Sequence, residues 1–504
     1  MLLLSPTDSQ LRQVLEEAHR LVVRSPTILA LIKADLDAHG LRKKALRVAD
    51  RAWRYARERA LPGMETASAF TETELTLGQG RTRTSAYVVF VALMLRGYFG
   101  EGFKARDVTT MMVESTTIAV LFANLGVDRP RASTLTELVN AVNNATRQRI
   151  LDEQIAMVLH LRWDDFREML QDSTHVAGNS EWPTDSRLIV TFVARLVRVV
   201  SSLWRLGLPT VALAKVQRYF AVMTDLNREI DMTRGTREGK RLRPRRYARL
   251  LRNAVRSHRA LSRAVAEVEA ALAALDLLPS RMAAATRVVT QMRGDVTALQ
   301  TVIANCKARV IEYKKVPMAD KTLSASDPDV GYIAKGQRDP VIGYKPQVAR
   351  SGAGFITGIL LPKGNASDSG QLVPMVEEVI RRTTVVPRIV NVDDGYASRA
   401  NVDAVRNLKV AVVSISGSKG KALTASADWE SDEYAHARDM RSAIESLMYT
   451  LKQGFNFGEV ARRGLDAVHA ELLEKALAFN LCHMVWTRRA VEILEEDEAF
   501  ADAA

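Results

Sequence analysis

Three acidic positions fall at comparable points along the chain, and carboxylates are the side chains that hold hard divalent cations. Asp172 lies in "REMLQDSTHV" (167–176), Asp393 and Asp394 in "RIVNVDDGYAS" (388–398), and Glu445 in "ARDMRSAIESLMYTLK" (437–452). The first two stretches read as strands that end on acid, the third as a helix following the last strand. Burying a carboxylate is costly unless it is paired or holds a metal. In open α/β sheets, sites form at the carboxyl ends of strands. Acids from these three elements, brought together there, would make an oxygen-rich pocket for Mg²⁺ or Mn²⁺. A lone Asp at a strand end is ordinarily a turn former or a helix cap. The trio, in this order, carries the hypothesis.

The helix stretch adds cations. On one continuous helix from about 433 to 453, Arg438, Arg441, Glu445 and Lys452 fall within a ~60° stripe. Such a stripe suits a phosphate gripped beside a metal; the bland alternative is an exposed salt-bridge face of little energy.

The elements that must position these residues follow from pattern. Residues 8–61 are helical in period, with a break at "RSPT" (24–27), where Ser25 can cap and Pro26 can open a helix. A Thr/Gly-rich connection follows at 62–84. Short helices are expected at 85–98 and 105–118, and a longer one from about 134, where Thr134 and Glu137 have capping-box spacing. Their Gly-containing turns are compatible with a helix-turn-helix module and equally with any small helical domain. After "EWPTDS" the chain is helical for more than a hundred residues. Leu261, Val265, Val268, Leu272 and Leu275 form one stripe, and Val289, Met292, Val296, Leu299 and Ile303 a second beyond Pro279. These read as two core-packed helices folded back as an antiparallel pair. From about 322 the pattern changes to strands at 341–349 and 354–361, a helix at 371–382, and a strand at 387–392. A helix near 399–407, a strand at 409–416 and helices to the end complete the string. The fold class is therefore mixed α+β and α/β.

The composition fits a polyanion partner. In 504 residues Lys+Arg exceed Asp+Glu by 71 − 58 = 13, a balance that suggests nucleic acid or an anionic membrane surface. The longest apolar run, "AYVVFVALML" (86–95), is too short to span a bilayer, and the first residues lack the basic start of a signal peptide. Cys306 and Cys482 stand alone, which excludes a disulfide scaffold and a Cys-rich zinc site. A cytoplasmic protein without a membrane partner is the expectation. Residues 234–259 hold eleven Lys/Arg against one Glu, a density that favours phosphate contact, with Arg241, Arg243, Arg245, Arg246 and Arg249 as candidates. "SGSKGKAL" (416–423) lacks the spacing of a nucleotide-binding loop. His175, Trp182 and Trp429 flank the acid segments and read best as structural residues.

Together these motifs resemble the catalytic core of bacterial insertion-sequence DDE transposases. The matching stretches are "LQDSTHV", "VNVDDGYAS" and "RSAIESLMYTLK", with "GYKPQVA", "GNASDSGQLVPMVEEV", "RRGLDAVHAELLEKALAFNL" and "WPTDS". The family's helix signature runs Tyr, two residues, Arg, three, Glu, six, Lys. Arg441, Glu445 and Lys452 match it, whereas Arg438 stands at the Tyr position.

The resemblance implies an RNase H-like core of residues 165–190 and 322–485. It also implies a helical N-terminal DNA-binding region (1–164), a helical basic insertion (191–321) and an acidic helical tail (486–504). Asp172, Asp394 (immediately before Gly-Tyr) and Glu445 become the catalytic, metal-holding acids, and Asp393 is set aside because neighbours along a strand face opposite ways. Two Mg²⁺ or Mn²⁺ ions ~3.5–4 Å apart would activate the attacking oxygen and stabilise the leaving one. That oxygen is first water's, cutting at the element end, and then the freed 3′-hydroxyl's, attacking target DNA. The implied partners are double-stranded DNA, at element ends and target, and a second copy of the chain as a dimer on DNA. The implied location is the bacterial nucleoid. A host-adapted DNA-binding protein that no longer cuts, and a helical scaffold that binds nucleic acid passively, are the competing readings.

Overall fold

The computed structural model describes residues 6–59, 84–100, 102–124, 129–180, 184–204, 213–233, 235–334 and 339–503. The connection expected at 62–84, residue 84 apart, and Trp182 of "WPTDS" lie outside them. In chain order the N-terminal helices are α1 (Pro6–Arg24), α2 (Thr27–Arg59), α3 (Ala86–Phe99), α4 (Ala105–Glu114), α5 (Thr116–Asn124), α6 (Ala132–Ala141) and α7 (Asn144–His160). Strands β1 (Glu168–Ser173) and β2 (Val176–Ala177) precede helices α8 (Asp185–Trp204), α9 (Leu213–Met232), α10 (Arg237–Ala274) and α11 (Pro279–Cys306). Then come β3 (Gly331–Ile333), β4 (Val341–Tyr344), β5 (Gln347–Ser351), β6 (Ile356–Leu360), α12 (Leu372–Thr383), β7 (Ile389–Asp393), α13 (Arg399–Asn407) and β8 (Val412–Ser416). The chain closes with α14 (Ser418–Leu423), α15 (Ser426–Trp429), α16 (Asp432–Asp439), α17 (Arg441–Gly454) and α18 (Leu465–Ala503).

These elements form two compact units: 1–39, 79–179 and 329–504 make one, 40–78 and 180–328 the other. In the first, a five-stranded mixed sheet runs β6-β5-β1-β7-β8. Central β1 is antiparallel to β5 and parallel to β7, which is parallel to β8. Strand alternation sorts its two faces. Met169, Val390, Val392, Val413 and Ile415 point into a core with Met375 and Val379 of α12 and Val402 and Val405 of α13. Asp172, Asn391, Asp393 and Ser414 therefore share the other face, where α16 and α17 pack. The run expected as one strand at 341–349 is two. Pro346, which has no N–H for a ladder, separates β4, in a three-stranded sheet β2-β4-β3, from β5 in the main sheet.

Helix α3 is buried on every side from Tyr87 to Leu95, so it is a core element rather than one that could enter a DNA groove. It lies against α18 so closely that a Cβ on Gly97 would come within 2.0 Å of the Glu474 carbonyl oxygen. The helix expected at 105–118 breaks at Ser115 into α4 and α5. Helix α6 begins at Ala132 with Arg131 as its N-cap and no side-chain cap hydrogen bond, so Thr134 and Glu137 form no capping box.

The second unit buries the predicted stripes. Leu261, Val265, Val268 and Leu272 of α10 meet Val289, Met292, Val296 and Leu299 of α11, in one core with α8 and α9. Pro279 opens α11 at its first position, where its missing N–H costs nothing. Among the described residues no helix is long and apolar enough to cross a membrane.

Candidate active site

The register of the sheet builds the site. Glu168, Met169 and Leu170 of β1 pair with Ile389, Val390 and Asn391 of β7. Continued two residues, that parallel register sets Asp172 level with Asp393 on the same face. Helix α17 crosses that face, fixed by Arg350 of β5, whose Nη1 donates to the Ala443 carbonyl at 2.8 Å.

At the centre stands the Arg441 guanidinium. Its Nη2 is 3.0 Å from Asp172 Oδ2, 3.8 Å from Asp393 Oδ2 and 3.8 Å from Glu445 Oε1. One nitrogen thus bridges acids from β1, β7 and α17. Asp172 is nearly buried and Glu445 largely exposed, so the cluster opens to solvent along the helix side. The other terminal nitrogen, Nη1, is buried and has no hydrogen-bond partner among the described residues. Burial, and next the neighbouring Asp172 carboxylate, raise the Asp393 pKa above its ordinary value.

Asp394, expected in sequence as the second acid, stands apart from this cluster. Its carboxylate turns away and accepts from the backbone N–H groups of Gly420, at 3.0 Å, and Lys419, at 3.3 Å. These are amides of the first turn of α14. Burial acts to raise its pKa, but those amides and the Lys419 charge outweigh it and the net shift is downward. Gly417 makes the contact possible: with φ +116°, it leaves the space in which a Cβ would lie 2.4 Å from the Asp394 carboxyl carbon. The reasoning that neighbours on a strand face opposite ways holds, but the neighbour facing Asp172 is Asp393. The segment 416–423 is thus a short helix whose anion-attracting end is already taken.

The cation stripe divides. Helices α16 and α17 meet at Met440, so Arg438 belongs to a different helix from Arg441, Glu445 and Lys452. Its guanidinium lies 4.5 Å over the Trp429 ring and 5.6 Å over Tyr434, and it donates to the Trp429 carbonyl. Lys452 remains on the Glu445 side, two turns along α17.

A second polar layer went unassigned in sequence, although its residues lie in quoted motifs. Asp368 accepts from Lys345 Nζ at 2.7 Å and Gln347 Nε2 at 2.8 Å. Gln347 Oε1 accepts from Gln171 Nε2 and from the Tyr396 hydroxyl. Burial, with the charges of Asp368, Asp172 and Asp393, holds the Tyr396 phenol well above its usual range. This layer ties β1, β5 and the turn after β7 behind the acids.

The oxygen-only donor set of Asp172, Asp393 and Glu445 has the chemistry for a hard divalent cation. As arranged, no group of three acidic, His or Cys residues among the described residues could hold an ion. The Arg441 guanidinium stands among the three acids instead. On the charge-run side, Arg241, Arg245 and Arg249 are exposed on α10. Arg246 is committed to Glu229 at 3.1 Å and to the Thr233 hydroxyl, and Arg243 lies 5.7 Å over Tyr247.

Residues 301–481 match the family model described as the transposase DDE domain. The matched segment contains Asp393, Arg441 and Glu445 but neither Asp172 nor the basic run. No curated protein and no solved structure matches the chain.

Proposed function

We propose that this chain, whose residues 301–481 match the transposase DDE domain, cuts and joins DNA by phosphoryl transfer at the Asp172–Asp393–Glu445 cluster. The observation that carries the reading is the Arg441 Nη2, which lies within 3.8 Å of carboxylates from three separate elements. The strand order supports an RNase H-like core: an antiparallel hairpin on one side of β1, two parallel strands on the other, and an acid at the end of β1 and of β7.

Asp172 and Asp393, with Glu445 from the exposed side, would hold the divalent cations that activate the attacking oxygen and stabilise the leaving one. The chain's own residues do the rest. Arg441 neutralises the acids and, at the side of the cluster open to solvent, would pair with a phosphate oxygen in a charge-assisted bond. Lys452 extends that grip along the DNA strand. Arg350 fixes the helix that carries both, and the Lys345–Asp368–Gln347–Tyr396 layer fixes the end of β7. In the cut, water gives up a proton as its oxygen bonds to phosphorus, and the P–O3′ bond breaks with the 3′-oxygen taking up a proton. In joining, that 3′-hydroxyl gives up its proton as it bonds to a target phosphorus, and the displaced target 3′-oxygen takes one up.

The test is cleavage by purified full-length protein of a plasmid carrying the DNA that flanks its gene, with Mg²⁺ or Mn²⁺ and with EDTA. Metal-dependent nicking at fixed positions, lost in Asp172→Asn, Asp393→Asn and Glu445→Gln, supports the reading. Absence of nicking in the wild type overturns it.

A further inference from the structure

The arginines of α10 form a row whose extent goes beyond the density seen in sequence. Arg241, Arg245, Arg249, Arg252, Arg256, Arg259 and Arg263 recur at spacings of four and three, and each is exposed. At about 100° per residue they fall within ~80° of one another, along ~33 Å of helix at ~1.5 Å per residue. The buried residues Tyr247, Leu250, Ala254, Leu261 and Val268 lie on the opposite side, so the row points squarely away from the core of its own unit.

Its charge is uncompensated. No acidic residue occurs between Glu238 and Glu267. Among the described residues none of the seven has a carboxylate within ion-pair distance, whereas Arg246, off the row, pairs with Glu229. Like charges three and four apart on a helix repel and destabilise it. A merely solvated face would mix signs. Within the fold Arg256 alone of the row meets an aromatic ring among the described residues, 5.9 Å over Tyr219, and none of the row meets a carboxylate, which points to a partner that supplies the negative charge.

We infer that this face of α10 docks lengthwise on one side of duplex DNA, spanning about one helical turn and meeting phosphates where the backbones cross that side. The ~33 Å length matches the ~34 Å rise of a duplex turn, and arginine forks suit phosphate oxygens. A membrane-surface helix needs a large apolar face beside its cations, and this row has none. Single strands are held by aromatic stacking as well as charge, and no aromatic residue stands in the row. The inference deepens the DNA reading above without using the acid cluster.

The experiment measures binding of full-length protein to a fluorescent duplex by anisotropy, in EDTA, across a range of salt. Arg252→Gln/Arg259→Gln is compared with Arg281→Gln/Arg287→Gln, an equal charge change at exposed α11 positions. Two lost phosphate contacts should flatten the slope of log K against log salt by about 1.8, at ~0.9 each, while the α11 pair leaves it unchanged. Arg252→Lys/Arg259→Lys, which keeps the charge, should restore the slope and so separates charge from misfolding. Equal slopes for the two Gln pairs overturn the inference. So does a loss seen only on phosphatidylserine vesicles, or only on single strands. Because no metal is present, failure of cleavage leaves this result standing, and failure here leaves the cleavage test standing.

Discussion

Asp393 and Asp394 are consecutive residues whose carboxylates serve different masters. The Asp393 carboxylate lies 3.8 Å from Arg441 in the acid cluster, and that of Asp394 is held by the Gly420 and Lys419 amides of α14. The first prediction follows from this division. On the proposed reading, Asp393→Asn should abolish strand cleavage while DNA binding persists, because it removes a charge that would hold the metal without changing shape. Asp394→Ala should retain cleavage per folded molecule and lose about 1 kcal/mol of stability, the typical worth of a lost helix cap. Single-turnover cleavage and thermal melting of both variants decide it; an inactive but stable Asp394→Ala would reverse the assignment.

The same pair should respond oppositely to pH. The Asp393 pKa is raised above 3.8, so between that value and the folded one the native state binds more proton and its stability falls as pH rises. Asp393→Asn should therefore gain melting temperature relative to wild type as pH climbs through that window. The Asp394 pKa is lowered below 3.8. Its stabilising charge is fully present above 3.8 and is lost as pH falls through the folded value, so the deficit of Asp394→Asn should shrink toward acid pH. Melting curves of both variants against wild type, from acid to neutral pH, would show curves of opposite slope; parallel curves would contradict the two environments.

How far the sequence reached is seen in the same residues. That acids end β1 and β7 was legible, because strand propensity and turn chemistry are local. Which of two adjacent acids faces Asp172 was not, since that depends on the register between strands more than two hundred residues apart. The α10 and α11 stripes were legible for the opposite reason, as helical period writes the buried face directly into spacing. The boundary at Met440 carries no Pro or Gly signal, so Arg438 read as part of a continuous stripe until packing on Trp429 separated it. The Lys345–Asp368 pair was invisible as a site because its partners meet only through the sheet.

Arg438 accordingly has a structural prediction. Its guanidinium stacks on Trp429 and Tyr434, contacts worth about 1 kcal/mol at partly exposed positions. Arg438→Gln should melt lower by an amount of that order and cleave at the wild-type rate per folded molecule. A cleavage defect with unchanged melting would mean that the arginine acts on the DNA rather than on the fold.

Arg441 carries the last prediction, because its guanidinium bridges the three acids and, in the proposed reaction, would also meet the phosphate. Removing it leaves Asp172, which is nearly buried, beside Asp393 with no cation between them, and an uncompensated buried charge is strongly destabilising. Arg441→Gln should therefore melt below wild type in EDTA. Added Mg²⁺ or Mn²⁺ should raise its melting temperature more than it raises that of the wild type, since a cation then replaces the lost guanidinium. Cleavage should nevertheless stay low, by about a hundredfold or more, because small misplacements of a reacting group cost that much. Lys452→Gln is the control within the same helix: it should lose cleavage without acquiring the metal-dependent rise in melting temperature. If Arg441→Gln melts as the wild type does and gains nothing from metal, the guanidinium is not the cation that holds the three acids together.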